Sequence, residues 1–198
     1  MEYLNKWLIK DDFYIIQVAS LPLDVIREHA KKYLSSEYPM LPKHFGLEQD
    51  SIKKLKEIKN RLSQQYTLQL GILYKEELIG WTDGWQDSIE QDTFFMGASL
   101  VLPKYQRMGL YSILVKKVFE LTKTDGFQSI SSLHIMMNNP ILIAKLKLGF
   151  SIYGFELNTR YGALVRLIYH HNESKSKALK FRTGAINETD IINALKGK

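Results

Sequence analysis

The apolar period changes in the middle of residues 93–121, and this change constrains the chain more than any other feature. Before it, Phe94, Phe95, Met96, Ala98, Leu100 and Val101 place apolar side chains on both faces of an extended segment. That pattern predicts a central strand covered on both sides. After it, Leu110, Ile113, Leu114, Val118 and Leu121 recur at helical spacing until Gly126, a residue suited to a left-handed helix end. A short turn from Pro103 to Gly109 joins the two. Where a strand feeds a helix in this way, unpaired N–H groups at the helix start point outward and the helix dipole adds partial positive charge. Such a turn holds a phosphate or diphosphate without a dedicated lysine. Gly109 lets the backbone approach closely, and Arg107 can add a charged donor.

Other elements can be read around this one. Residues 12–18 predict a first strand. Ser20 and Pro22 then open a helix carried by Leu23, Ile26, Ala30 and Tyr33. Residues 35–49, with Tyr38, Pro39, Pro42, His44 and Gly46, read as a shaped loop suited to recognition. Residues 51–64 read as a basic amphipathic helix, with Lys53, Lys54, Lys56, Lys59 and Arg61 around an apolar stripe. Strands are predicted over residues 66–74, 77–86, 93–102, 127–137, 151–159 and 163–170. A short helix closing at Gly149 is announced by Asn139 as N-cap and Pro140 in the first turn. The lysine-rich tail from Asn172 gives a weak helical signal over residues 187–195.

Composition removes several kinds of chemistry. The 198 residues are 45% hydrophobic and contain no cysteine, so disulfides, thiolate metal sites and a cysteine nucleophile are excluded. No apolar stretch reaches the length of a membrane span, and a cytoplasmic protein with no membrane partner is expected. The net charge of +6 favours anionic partners without choosing among them.

Gln106 and Gly109 at the strand-to-helix turn, preceded by Val101 and Pro103, resemble the coenzyme A motif of the GNAT acetyltransferases. Asn138, followed by Ala144, Leu148, Gly149 and Phe150, resembles the second signature of that family. Together the motifs and the order of elements cover residues 12–170. The resemblance implies an α/β GNAT fold, a mixed and mostly antiparallel seven-stranded sheet flanked by helices, with strands four and five splayed. It implies one domain over residues 1–170, with residues 171–198 as a polar, lysine-rich extension packed on it or trailing from it. It also implies acetyl-CoA as cosubstrate, with Leu100 and Val101 pairing to the pantetheine arm. Arg107, Met108, Gly109, Leu110, Tyr111 and Ser112 would hold the diphosphate, Gln106 would join them in binding the cofactor, and Asn138 would face the coenzyme near the splay.

The sequence departs from the family pattern at three places. Tyr111 stands where the motif has glycine or alanine. Lys145 stands where relatives often carry a tyrosine that protonates the departing thiolate. Phe95 and Leu133 occupy positions where relatives place a base. Tyr153 and His134 are therefore the candidate acid and base, each weighed against ordinary packing with one hydrogen bond. Trp81, Asp83 and Trp85 alternate on one face and suit a cationic amine, with core tryptophans as the blander reading. The expected function is transfer of an acetyl group from acetyl-CoA to a primary amine, on a small molecule or a peptide, by direct attack. No nucleic-acid partner is expected, and a homodimer is compatible with the sequence. The alternative is a noncatalytic GNAT-like module that binds coenzyme A or nucleic acid.

Overall fold

The computed structural model describes residues 2–34, 49–53, 66–190 and 192. In chain order the strands are β1 (Asn5–Lys10), β2 (Phe13–Gln17), β3 (Thr67–Tyr74), β4 (Glu77–Gln86), β5 (Thr93–Val101), β6 (Ser129–Ile135), β7 (Ser151–Asn158) and β8 (Gly162–His170). The helices are α1 (Leu23–His29), which runs into a π turn (Ala30–Leu34), α2 (Leu110–Thr124), α3 (Asn139–Lys147) and α4 (Glu173–Arg182). The strands form one sheet in the order β1-β2-β3-β4-β5-β6-β8-β7. Every pairing is antiparallel except β5 with β6.

Eight strands replace the seven expected. The added one, β1, is an edge strand whose residues alternate between exposed and half-buried. Lys6 and Lys10 within it hid its pairing with β2 from a reading based on apolar runs. The tail holds a helix that the sequence did not announce, α4, ahead of the helical signal expected over residues 187–195. Asn172 caps α4 by accepting from the Lys175 amide at 3.1 Å, and Lys175 Nζ lies 3.5 Å from Asp92 Oδ2. Residues 188–190 are also helical, opened by reciprocal bonds between Asn187 and Asp190. The loop expected over residues 35–49 and the basic helix over residues 51–64 fall outside the described residues, except for a helical turn at residues 49–53.

Helices cover both faces of the sheet. Beneath α2, the side chains of Leu110, Leu114, Val115 and Val118 meet Phe94, Met96, Ile130, Phe150 and Leu167. On the opposite face, Ile16, Leu21, Trp81 and Leu100 pack with Val25 and Ile26 of α1. Each fully buried aliphatic or aromatic side chain contributes roughly 1.5–3 kcal/mol. β5 feeds both layers, as its two-sided apolar pattern predicts. Met96 and Leu100 are four residues apart, yet they face opposite sides of the sheet. The cause is a register shift between β4 and β5, in which Gly97 and Ala98 together oppose Asp83. This bulge inverts the alternation of everything after it.

Candidate active site

A fork opens in the middle of the sheet. β5 and β6 pair at Thr93↔Ser129, Phe94↔Ile130 and Phe95↔Ser131, and no rung follows. From Met96 onward β5 keeps β4 as its neighbour on one side and has no strand on the other. The amide of Ala98 donates to Asp83 Oδ1 at 2.8 Å and that of Leu102 donates to the Ile79 carbonyl at 2.8 Å. Residues 98, 100 and 102 therefore turn their backbone groups to β4, and by alternation Ser99 and Val101 turn theirs into the fork. Leu100, expected beside Val101 at the ligand, presents its backbone to β4 and its side chain to the core. Ser99 is the residue whose backbone faces the fork there. The alternation of the sequence could not reveal this, because the bulge is invisible in it.

The turn after β5 is held from within. Tyr105 donates its amide to the Leu102 carbonyl at 2.8 Å, Gln106 donates its amide to Pro103 at 3.2 Å, and Gln106 Nε2 donates to the Val101 carbonyl at 3.0 Å. Gln106 thus ties the turn to the strand end. The chain then passes through a positive φ twice, at Arg107 (62°) and at Gly109 (78°), before α2 begins. A β-carbon at Gly109 would meet nothing within 4 Å, so the glycine serves conformation and access rather than tight packing. The first bond of α2 runs from the Ile113 amide to the Gly109 carbonyl. This leaves the amides of Leu110, Tyr111 and Ser112 as open helix-start donors. No side chain caps them and no acidic residue stands in the first turn. Arg107 and Met108 are exposed beside them.

Tyr111 turns inward and packs against the core beneath α2. Its hydroxyl is buried without a hydrogen-bond partner, and burial pushes its pKa up. On the far side of the fork, His134 Nε2 lies 3.1 Å from Ser132 Oγ. Burial, aided by the charge of Lys145, pushes the imidazole down to about 3, so it stays neutral around pH 7. Lys145 of α3 is fully buried, with Nζ 2.9 Å from Met96 Sδ. Asn138 Oδ1 accepts from the Ile141 amide at 3.4 Å and so caps α3. Tyr153 is 49% exposed on the edge strand β7, beyond β8 from the fork, and stands apart from these groups. Trp81 is buried with its Nε1 unpartnered, whereas Trp85 packs against Phe95 with ring centroids 5.0 Å apart. Burial raises the pKa of Asp83 against the lowering effect of its bond from Ala98. Of the side chains that gather here, Lys145 is the one that sequence reasoning noted only as a departure, since lysine is rarely buried.

The strand fork beside an uncapped helix start is the candidate site, and comparison with known proteins gives the chain a family. The model of the acetyltransferase (GNAT) family matches residues 25–150, and the chain belongs to that family. Its fold is similar to a ribosomal L7/L12 α-N-protein acetyltransferase, RimL, at TM-score 0.58 and 11% identity over 84% of this chain and 94% of that one. It is also similar to a chimera of spermidine N-acetyltransferase SpeG from Vibrio cholerae and hSSAT, at TM-score 0.57 and 15% identity over 85% and 99%. A nourseothricin acetyltransferase matches at TM-score 0.48 and 13% identity, over 52% of this chain and 65% of that one. No curated protein matches the chain by sequence. The splay expected between the fourth and fifth strands is the fork between β5 and β6, the added β1 having moved the count by one. Among the described residues, no helix is long and apolar enough to cross a membrane.

Proposed function

We propose that the protein is an acetyl-CoA-dependent N-acetyltransferase that acts on a primary amine of a small molecule or peptide. The observation that carries this reading is the continuity of two open sets of backbone groups, those of Ser99 and the Val101 amide along the fork and the amides of residues 110–112 at the start of α2. The residues present fit such a cosubstrate. The space around Gly109 lets a diphosphate approach the amides, and the inward turn of the Tyr111 ring answers its departure from the motif. Residues 1–170 would form the catalytic domain and residues 171–198 its extension, in the cytoplasm.

In this reading acetyl-CoA supplies the activated acyl group. Ser99 and Val101 align the arm as a neighbouring strand would. The amides of residues 107–112, with Arg107, fix the diphosphate and set the thioester in the fork. A neutral amine attacks the carbonyl directly, and its proton leaves through water or through a base. At a pKa of about 3, His134 is a weak base and serves better as a neutral hydrogen-bonding wall. Tyr153, being exposed on β7, would meet the acceptor rather than the sulfur.

Acetyl-CoA at a hundred times its dissociation constant is expected to stabilise the fold by about 2.7 kcal/mol. Thiol release from acetyl-CoA, screened with polyamines, aminoglycosides, amino acids and peptides, is expected with at least one acceptor class. An unchanged melting temperature would refute the reading. Stabilisation without release for any amine would favour the noncatalytic module.

A further inference from the structure

On the α1 face of the sheet a carboxylate stands at the fork without a cation. Trp81 belongs to the cluster packed with α1, and by alternation Asp83 and Trp85 face the same way. Asp83 reaches over β5, where its Oδ1 accepts from the Ala98 amide at 2.8 Å. It can lie there because residue 97 is glycine: a β-carbon on Gly97 would stand 2.7 Å from Asp83 Oδ1 and 2.8 Å from the Trp85 ring. Met96, and with it Lys145, lies on the opposite face beneath α2.

Other side chains share the Asp83 face. Trp85, Phe95 and Ser131 form one row across β4, β5 and β6, each being the register partner of the next. The ring centroids of Trp85 and Phe95 are 5.0 Å apart, yet Trp85 is 40% exposed. Ser131, at the last rung before the strands part, is 3% exposed, and its Oγ has no hydrogen-bond partner among the described residues.

Each feature alone has a plain structural reading, since a carboxylate can close a bulge and two rings can cover a sheet. Their combination does not. Among the described residues no lysine, arginine or histidine forms an ion pair with Asp83. Burial raises its pKa, and no neighbouring cation offsets the rise. An anionic oxygen beside aromatic rings and an unpaired hydroxyl is the complement of an organic ammonium, which donates to the oxygens and lies against the ring faces.

We infer that Asp83, Trp85, Phe95 and Ser131 receive the acceptor as its ammonium at the closed end of the fork, so that the acceptor is a cationic amine with no carboxylate beside its nitrogen. This inference rests on the acyl-transfer reading and names the substrate class for it. Polyamines and amino sugars meet the condition. A free amino acid does not, because its own carboxylate would be brought against Asp83, where like charges repel. Asp83 acts here as a binding group, and the bound ammonium releases its proton to water before the nitrogen attacks.

Asp83→Asn keeps an oxygen for the Ala98 amide and removes the charge, so it tests the site without opening the bulge. The probes are putrescine and free glycine. With coenzyme A bound, putrescine is expected to change the tryptophan fluorescence of the wild type, and Trp85→Phe to abolish that change. In transfer assays the wild type is expected to acetylate putrescine in preference to glycine. Asp83→Asn is expected to raise KM for putrescine roughly 10–100-fold, with kcat and KM for acetyl-CoA little altered. Trp85→Ala is expected to raise it roughly 3–10-fold. A KM for putrescine in Asp83→Asn equal to the wild type, or a preference for glycine, would overturn the assignment. So would a fluorescence change that persists in Trp85→Phe, which would place the amine elsewhere, or a fall in kcat at unchanged KM, which would make Asp83 a base. Melting curves separate this failure from the broader one. A wild type that acetyl-CoA stabilises but putrescine does not bind overturns this inference alone, whereas one that acetyl-CoA does not stabilise overturns the acyl-transfer reading with it.

Discussion

The two ends of β5 follow different rules. At Thr93–Phe95 the strand is paired on both sides, and Phe94 is sealed between the sheet and α2 with Tyr66 and Phe127 against its ring. From Met96 to Val101 the same strand is paired on one side, bulged at Gly97 and Ala98, and open toward β6. The first end holds the fold together, and the second leaves polar backbone groups without a strand partner. One strand does both because the bulge reverses its faces between the two ends. A regular strand of this length would have had to stay paired throughout or leave a straight exposed edge.

Substitutions that respect or violate this division sharpen it. Phe94→Ala, at the closed end, is expected to destabilise the fold by about 3–5 kcal/mol. Acetyl-CoA binding by the protein that remains folded should be retained, as paired denaturation and binding curves would show. Gly109→Asp, at the open end, is expected to remove the roughly 2.7 kcal/mol that saturating acetyl-CoA adds. It places a carboxylate against a diphosphate and forces a side chain into φ of 78°, and thermal shift with and without the ligand measures the loss. Full retention of the ligand effect would erase the distinction between the two ends.

Two smaller effects concern groups buried near the fork. The folded-state pKa of Lys145, about 7, lies below its ordinary value of 10.5, so between these two pH values the unfolded chain binds more protons than the folded one. Stability should therefore rise with pH across that window, and denaturation midpoints of Lys145→Met should rise less. An equal slope in the variant would show that Lys145 is protonated throughout. Tyr111→Phe removes a buried hydroxyl that has no partner and is expected to stabilise the ligand-free protein by about 1 kcal/mol, seen as a higher Tm. A fall in Tm would mean that the hydroxyl has a partner in solution.

The sequence made the closed end easier to read than the open one. The apolar residues of β5, the helical spacing of α2 and the glycine between them are direct consequences of burial and backbone conformation, so the strand-to-helix turn was legible. The start of α3 was legible for the same reason, since asparagine followed by proline is a local signal, but that signal puts the cap on Asn139 whereas Asn138 makes the capping bond. Ser99 escaped because a bulge leaves no trace in residue type, and alternation counted through it points to the wrong partner. β1 and α4 escaped because neither buries a residue. β1 is carried by its rungs to β2, and α4 by its cap and by surface pairs such as Lys177 with Glu173. Burial of Lys145 is a tertiary fact, created by Met96 and Phe150 closing over a side chain that by type belongs in water.

A crystal structure with acetyl-CoA bound tests the central claim most directly. The account predicts the diphosphate on the amides of residues 107–112 and the arm paired with Ser99 and Val101. A ligand seated elsewhere, with the Tyr111 ring filling the mouth of the fork, would contradict it.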